Sequence, residues 1–263
     1  MNKINEYENL IKNHYENYAE EERFSSKHQK VEYLTTMRYI KKYLKNGMKI
    51  IELGAGTGAY SIELAKQGYD VTSVELVKKN LNVLKKNGKG IKNLHPVQGD
   101  ALDLSKFEDN SFDMVLSFGP MYHLFNEKDK LKAIKEEIRI CKKDGIIMFA
   151  YITHSSIVWA YGVRCSGIDK LQYALMDNGA VKNVPEEIFS SYFIEDFKKQ
   201  FKNSPTKHLK DVATDSLFNI MRDYVDDLSD EKYEMLLDYH FKTCERKDMQ
   251  GLSNHMLYIC KKL

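Results

Sequence analysis

The segment Ile50-Ile51-Glu52-Leu53-Gly54-Ala55-Gly56-Thr57-Gly58 constrains this chain more than any other, because an apolar pair runs into three glycines at alternate positions. It reads as a buried strand ending in a tight turn. From Tyr60 to Lys66 the pattern resumes with helical spacing through Ile62 and Ala65, with Leu64 beside them. Glycine tolerates positive φ and lets a ligand come into contact with the backbone. A strand, a glycine turn and a helix N-terminus together build a site for a nucleotide-like ligand at the carboxyl edge of a parallel sheet.

Three later strand ends extend that reading. Asp70-Val71-Thr72-Ser73-Val74-Glu75 alternates and closes on a carboxylate about twenty residues past the glycines, where an acid accepts both ribose hydroxyl protons. Val97-Gln98-Gly99-Asp100-Ala101 is a short strand closing on Gly-Asp, where a carboxylate or its neighbouring backbone meets the amino edge of an adenine. Phe112 to Ser117 is a strand running into Phe118-Gly119-Pro120-Met121-Tyr122, and glycine with proline stops regular structure there.

At these residues, over Lys49 to Met148, the chain resembles the class I S-adenosylmethionine-dependent methyltransferases. Lys142-Lys143-Asp144-Gly145 resembles the turn before their fifth strand, with Asp144, Gly145 and Ile146 where the family usually has Pro-Gly-Gly. The loop Gly119-Pro120-Met121-Tyr122-His123-Leu124 is similar to that of bacterial small-molecule methyltransferases. The resemblance implies an α/β fold: a Rossmann-like seven-stranded sheet with helices on both faces, an N-terminal helical lid and an inserted helical cap. The expected boundaries are 1–46 for the lid, 47–152 and 186–263 for the core with a helical insert at about 214–247, and 153–185 for the cap. It implies S-adenosylmethionine as cofactor, held by Gly54, Ala55, Gly56, Gly58, Glu75, Leu76, Asp100, Ala101, Ser117 and Gly119, with Tyr18 and Arg23 from the lid.

Other readings compete. Gly54-x-Gly56-x-x-Ala59 also fits a dinucleotide-binding fingerprint, so a dehydrogenase is the first rival. Against it, some fifty residues precede the motif, and Gly99-Asp100 and the Gly-Pro loop stay unexplained. No Lys-Ser or Lys-Thr follows the glycines, which disfavours a phosphate-cradling loop. Glu75 alone reads as a solvated strand-end acid, and Asp100 as a cap for the turn near Leu102. Two alternatives stay open: a methyltransferase acting on RNA or protein, against which Gly119-Pro120-Met121-Tyr122 replaces the Asn/Asp-Pro-Pro-Tyr/Phe pattern of amide and exocyclic-amine methyltransferases, and a non-catalytic S-adenosylmethionine-binding module.

Charge and cysteine use narrow the partners. Forty Lys and Arg oppose 38 acids, and the Lys pairs fall on helical segments as solvated faces, which argues against a nucleic-acid backbone. The four cysteines show no Cys-x-x-Cys spacing, so neither a zinc cluster nor a disulfide framework is expected, and no metal is assigned. The start of the chain has no apolar signal core, and no apolar run reaches membrane-spanning length. The expectation is a cytoplasmic enzyme with a small-molecule acceptor, as monomer or homodimer.

Flanking the motif region, Ile4, Tyr7, Ile11, Tyr15 and Tyr18, then Val31, Leu34, Ile40 and Leu44, recur at helical spacing around a charged break at Glu20 to Ser26. Tyr15, Tyr18 and Arg23 are candidate lid residues. After the fifth strand, Trp159, Tyr161 and Arg164 suit acceptor binding, as does His240 on a late helix. Helices are expected from Pro185, over Ser216 to Val225 and over Asp230 to Lys242, with strands at Lys207 to Val212 and Asn254 to Cys260. Methyl transfer is an in-line displacement, in which orientation supplies roughly 7–11 kcal/mol of the barrier. A base is needed only for an acceptor protonated at working pH. His123 and Tyr122, just past the fourth strand, are the candidate catalytic residues, with His154 a further histidine near the sheet edge.

Overall fold

The computed structural model describes the backbone of residues 3–263 and the side chains of residues 9–263; the side chains of Ile4 and Tyr7 lie outside the described residues. Eight strands form one sheet: β1 (Lys49–Leu53), β2 (Asp70–Glu75), β3 (Leu94–Gln98), β4 (Phe112–Ser117), β5 (Cys141–Thr153), β6 (Ser191–Tyr192), β7 (Thr206–Ala213) and β8 (His255–Lys262). Their order is β3-β2-β1-β4-β5-β8-β7, with β6 paired to the end of β5. The sheet has eight strands where seven are expected, and the two-residue β6 is the strand the sequence did not announce. It exists because the chain leaving the 153–185 segment runs alongside the overhanging end of β5, pairing Ile152 with Ser191 and Thr153 with Tyr192.

The central strands are buried on both faces, which is why they read as apolar runs and not as alternation. Ile50, Ile51 and Leu53 of β1 and Met114, Val115 and Leu116 of β4 are sealed from solvent. Strand β8 runs against the rest of the sheet, pairing antiparallel with both β5 and β7. Chain order therefore reverses between β1 and β4, and an open α/β sheet binds ligands at such a switch point.

Helices α1 (Lys3–Asn17), α2 (Lys27–Tyr43), α3 (Ala59–Lys66), α4 (Lys78–Asn87), α5 (Pro120–His123) and α6 (Glu127–Ile140) precede β5. Beyond it lie α7 (His154–Ser156), α8 (Ile168–Ala174), α9 (Ile194–Lys199), α10 (Arg222–Asp226), α11 (Asp230–Thr243) and α12 (Lys247–Gln250), with π-helical turns at Ile157–Val163. Side-chain caps start three of the helices: Asn126 accepts from Asp129 N at 2.8 Å before α6, Thr153 Oγ1 from Ser156 N at 3.2 Å before α7, and Ser229 from Lys232 N at 3.4 Å before α11. Two expected helices are corrected. Pro185–Glu187 is a single 3-10 turn, halted by Ile188 in the left-handed region. The Ser216 to Val225 stretch splits into a 3-10 turn at Ser216–Phe218 and the short α10. The turn expected at Lys142 to Gly145 is drawn into β5, with Asp144 at φ +63° and a register shift opposite Phe112–Met114.

The amino-terminal segment lies across the carboxyl edge of the sheet. Lys79 of α4 donates to the last carbonyls of this first stretch, Tyr15 O (3.2 Å), Glu16 O (2.9 Å) and Tyr18 O (3.2 Å), where a cation meets the helix dipole favourably. Helix α2 is tied to the carboxyl-terminal helices: His28 Nδ1 lies 2.6 Å from Asp226, and Val31 packs with Phe218, Val225, Tyr233 and Leu237. No helix among the described residues is long and apolar enough to cross a membrane.

Candidate active site

The glycine turn is built by the tips of β1 and β2. Gly54 N and Ala55 N both donate to Val74 O, at 3.0 and 3.1 Å, and Gly54, Gly56 and Gly58 all adopt positive φ. Two of these glycines are closely approached at the cavity. A Cβ on Gly54 would lie 2.9 Å from Gly119 Cα, so the tips of β1 and β4 meet backbone to backbone. A Cβ on Gly56 would lie 3.2 Å from Glu20 Oε1, in the space facing the cavity.

Glu75 closes the turn. Its two oxygens accept from Gly56 N and Val77 N, each at 2.8 Å. Burial drives its pKa up to about 7, against the pull of those two backbone donors. The Asn80 side chain hydrogen-bonds the carboxylate as well, so three donors leave it acceptor capacity to spare. At the end of β3, Asp100 Oδ1 accepts from Leu102 N at 2.9 Å, so it caps its own turn as well as facing the cavity.

These groups line a cavity of about 390 Å³. One wall is Gly54, Gly56, Glu75 and Leu76, a second is Gly99, Asp100, Ala101 and Leu102, and a third is Gly119, Pro120, Tyr122 and His123. Ile11, Tyr15, Glu20 and Arg23 roof it. An acid with spare lone pairs, a flat apolar slot at Leu76 and Ala101, and glycines that leave the backbone bare fit an adenosine-bearing ligand of the S-adenosylmethionine kind. The fit is one of chemistry: hydroxyl donors for Glu75 and an apolar ring face for Leu76 and Ala101.

The third wall changes the reading of His123. Its Nδ1 lies 2.9 Å from Ile188 O, an obligate acceptor, so Nδ1 carries the proton. The lone pair on Nε2 then accepts from Tyr15 Oη at 2.9 Å. Burial lowers the ring's pKa to about 4. A base with its lone pair occupied and its basicity lowered is poorly placed to take a proton, and the geometry makes His123 the fastening of α1 onto α5. Tyr122 is buried, and its hydroxyl donates to Phe118 O. We expect His123→Ala to cost about 1–3 kcal/mol in urea denaturation, through the unmatched Ile188 carbonyl and Tyr15 hydroxyl. High pH should restore no activity to that variant; recovery of rate with rising pH would return His123 to base duty.

A second, smaller cavity of about 30 Å³ shares Glu20, Arg23 and Gly54 with the first. It sits over the tips of β1, β4 and β5 and is lined by Glu32, Glu52, Tyr60, Phe118, Ala150, Thr214 and His255. Arg23 Nη2 pairs with Glu32 Oε1 at 2.9 Å, and Nη1 with Glu20 at 3.6 Å. His255 Nδ1 lies 2.9 Å from Asp215 Oδ2 and 3.3 Å from Glu32 Oε2. Ligand atoms of Glu32, Asp215 and His255 lie within 4.8 Å of one another, with the Arg23 guanidinium already supplying positive charge at Glu32. Glu52, a strand residue, is buried and accepts from Ser61; burial raises its pKa to about 8.

Several expected site residues lie elsewhere. Ser117 donates to Glu137 Oε1 at 3.0 Å in the core, turned away from both cavities. Gly58 lines neither; a Cβ there would meet Ile62 and Leu84 at 2.9 Å, so it lets α3 pack on α4. Ala55 borders only the smaller cavity, and Tyr18 stacks on His14 at 5.5 Å. His240 is sealed between α11 and α2, 2.9 Å from Thr35 Oγ1, so it does not reach the acceptor side. Trp159 is half exposed on the π-helical turns, and Arg164 Nη2 lies 2.6 and 2.7 Å from the two carboxylate oxygens of Asp223. Tyr161, also half exposed, has a phenol within electrostatic reach of Asp215, Arg222, Tyr18 and Arg23. Sequence reasoning missed Glu20, Glu32, Asp215 and His255. The available signal was the strand-edge position of Asp215 and His255.

Comparison with known proteins agrees with this geometry. Residues 51–149 match the methyltransferase domain family. Over 110 residues the chain is 38% identical to a demethylmenaquinone methyltransferase of Staphylococcus haemolyticus (strain JCSC1435), covering 40% of this chain and 44% of that protein. It is 28% identical over 194 residues to a glycine/sarcosine N-methyltransferase of Aphanothece halophytica, covering 71% and 66%. The chain thus spans less than half the length of the first of these relatives. A solved Thermotoga maritima structure, described as an S-adenosylmethionine-dependent methyltransferase and possible histamine N-methyltransferase, superposes with a TM-score of 0.59 at 20% identity, covering 92% and 93%. Magnesium protoporphyrin IX methyltransferase from Synechocystis PCC 6803, solved with S-adenosylhomocysteine, superposes with a TM-score of 0.56 at 10% identity, covering 94% and 88%. The chain carries a methyltransferase domain of the class I, S-adenosylmethionine-dependent kind. S-adenosylmethionine is the cofactor of that class.

Proposed function

We propose that this protein transfers a methyl group from S-adenosylmethionine to a small-molecule acceptor. The observation that carries the reading is the convergence of Gly54, Gly56, Glu75, Asp100 and Gly119 on one roofed cavity at the sheet's switch point. The cofactor supplies a methyl already activated on a sulfonium. The chain's own task is to orient and to exclude water. The Gly54–Gly119 contact fixes the floor, Glu75 and Asp100 fix one end, and the Tyr15, Glu20 and Arg23 roof shuts out solvent. A roof of this kind suits a compact acceptor, in keeping with the glycine/sarcosine N-methyltransferase that the chain resembles.

Calorimetry tests this directly: S-adenosylhomocysteine should bind at micromolar affinity or tighter, with no comparable binding of NAD or NADP. Binding of a nicotinamide cofactor alone would remove the reading.

Glu75 gives a sharper test. A hydrogen bond to a charged group is worth about 1.5–3 kcal/mol, so Glu75→Ala should weaken S-adenosylhomocysteine binding roughly 10- to 150-fold. Ribose hydroxyls donate to the ionised carboxylate, so binding favours the deprotonated form. In the wild type, affinity should therefore be flat above about pH 7 and fall as pH drops below it. That slope should vanish in Glu75→Ala. A variant that binds as tightly as wild type at every pH would leave Glu75 a structural acid of the turn.

A further inference from the structure

The smaller cavity holds a group that orientation alone does not need. His255 opens β8 opposite Ile152, at the carboxyl edge of β5. Asp215 lies two residues past β7, and its Oδ1 accepts from Ser253 Oγ (2.6 Å), Asn254 N (2.8 Å) and His255 N (3.1 Å). Three donors on one oxygen fix the direction of the carboxylate. Its other oxygen faces His255 Nδ1 at 2.9 Å.

That contact decides the tautomer. A carboxylate is an acceptor only, so Nδ1 carries the proton and Nε2 the lone pair. Among the described residues the polar contacts of the ring, with Asp215, Glu32 and the Asn254 amide, fall on Nδ1. Nε2 has no partner among the described residues, and the side chain keeps 14% of its surface accessible on a wall of the cavity. The other candidate histidines differ. His123 has both nitrogens engaged, His154 Nδ1 takes Val181 N and Ser191 Oγ, and His240 Nε2 is spent on Thr35. Burial lowers all three to about 4. Burial also pulls His255 down, but Glu32 and Asp215 outweigh it, so its pKa ends raised.

Resting on the methyltransferase reading above, we propose that His255, positioned by Asp215, is the base that takes the proton from an amine acceptor whose ammonium is drawn in by Glu20 and Glu32, the carboxylates that line the cavity beside it. Around His255 the charged groups are Asp215 after β7, Glu32 on α2, and Arg23 and Glu20 of the roof. Three carboxylates against one guanidinium leave the neutral-imidazole site anionic, which favours a cation over a phenolate. At about 30 Å³ the cavity has room for little more than one or two water-sized groups, so it reads the nitrogen end of the acceptor. The ammonium passes one proton to His255 Nε2, which frees the nitrogen lone pair. That pair forms the new carbon–nitrogen bond as the methyl's bond to sulfur breaks and its electrons stay on sulfur. The methylated amine leaves as an ammonium, and the imidazolium returns its proton to water.

The first test needs neither cofactor nor acceptor. In the full chain labelled with 15N-histidine, His255 should show the Nδ1–H tautomer, and its titration midpoint should fall by about a unit or more in Asp215→Asn. An unchanged midpoint overturns the pairing. The second uses S-adenosylmethionine with sarcosine and histamine as amine probes and catechol as a phenol. Methylation of an amine and not of catechol is expected. The wild-type rate should rise about tenfold per pH unit below the base's pKa. His255→Asn should lower kcat by about 10²–10⁴-fold and flatten that limb while S-adenosylhomocysteine affinity stays within a few-fold. Failure to methylate either amine overturns the amine assignment, and an intact pH limb in His255→Asn overturns the base. Failure of the underlying methyltransferase reading is seen separately, as wild-type protein that binds no S-adenosylhomocysteine.

Discussion

Gly54→Val is expected to abolish S-adenosylhomocysteine binding and to destabilise the fold by about 2–5 kcal/mol, the sum of a left-handed backbone penalty and overpacking. Gly54 sits at φ +72°, where a β-branched residue is strained whatever the space around it. Its Cβ would also fall 2.9 Å from Gly119 Cα and 3.2 Å from Pro120 Cδ. Neither neighbour is the free end of a flexible side chain, so the tips of β1 and β4 must part. Those tips are the floor of the larger cavity, which links the stability loss to the binding loss. Thermal denaturation and calorimetry on the same sample check both. Gly90→Val is the control: it too has positive φ, at +90°, but no atom lies within 4 Å of its Cβ and it lines no cavity. It should share the backbone strain and keep the affinity. Undiminished binding by Gly54→Val would show that the β1–β4 contact is not the floor of the cofactor site.

The second large effect is expected at Arg23. Its guanidinium joins three parts of the chain that are remote in sequence: Glu20 in its own turn, Glu32 on α2, and the Tyr122 hydroxyl on α5. Burial works against its charge, but Glu32, Tyr122 and Glu20 more than compensate and leave its pKa raised. Removing one member of a largely buried ion pair strands the other, at a cost of about 3–5 kcal/mol. Arg23→Ala leaves Glu20, Glu32 and Asp215 facing one another without their cation, so the roof should open instead of staying closed over repelling charges. If closure is what secures the cofactor, about 3 kcal/mol corresponds to roughly 100-fold weaker binding. Hydrogen exchange over residues 9–43 should quicken in parallel. Arg23→Lys restores charge without the planar fork and should recover only part of the affinity. Wild-type affinity in Arg23→Ala would mean that the roof is held by Lys79 and the Tyr15–His123 contact alone.

Arg23 also marks the border between what was legible in sequence and what was not. Its place in a charged break between two amphipathic helices made it a candidate for covering the site, but its partner Glu32 lies on the next helix. The glycine turn, Glu75 and Gly99-Asp100 were legible because their signals are local. Three alternate glycines, or a carboxylate closing a β-rich run, state the backbone geometry within a few residues, and parallel strands repeat that statement at each tip. Side-chain direction was less legible. Ser117 stands at the end of β4 as expected, yet its hydroxyl turns to Glu137 on α6 because the pleat sends it inward. Gly58 belongs to the motif but serves the packing of Ile62 and Leu84.

By itself the sequence determined the strand-turn-helix units, their acidic and glycine tips, and so the cofactor class. Each depends on neighbours a few positions away. The tertiary structure decided which histidine keeps a free lone pair. His123 loses its own to Tyr15, 108 residues earlier in the chain, while His255 gains its orientation from Asp215, 40 residues away, and its second acid from Glu32 on α2. Such pairings are set by how α1, α2 and the segment after β7 fold over the sheet edge. No local pattern encodes them, because a hydrogen bond depends on where two groups meet in space and not on their spacing along the chain.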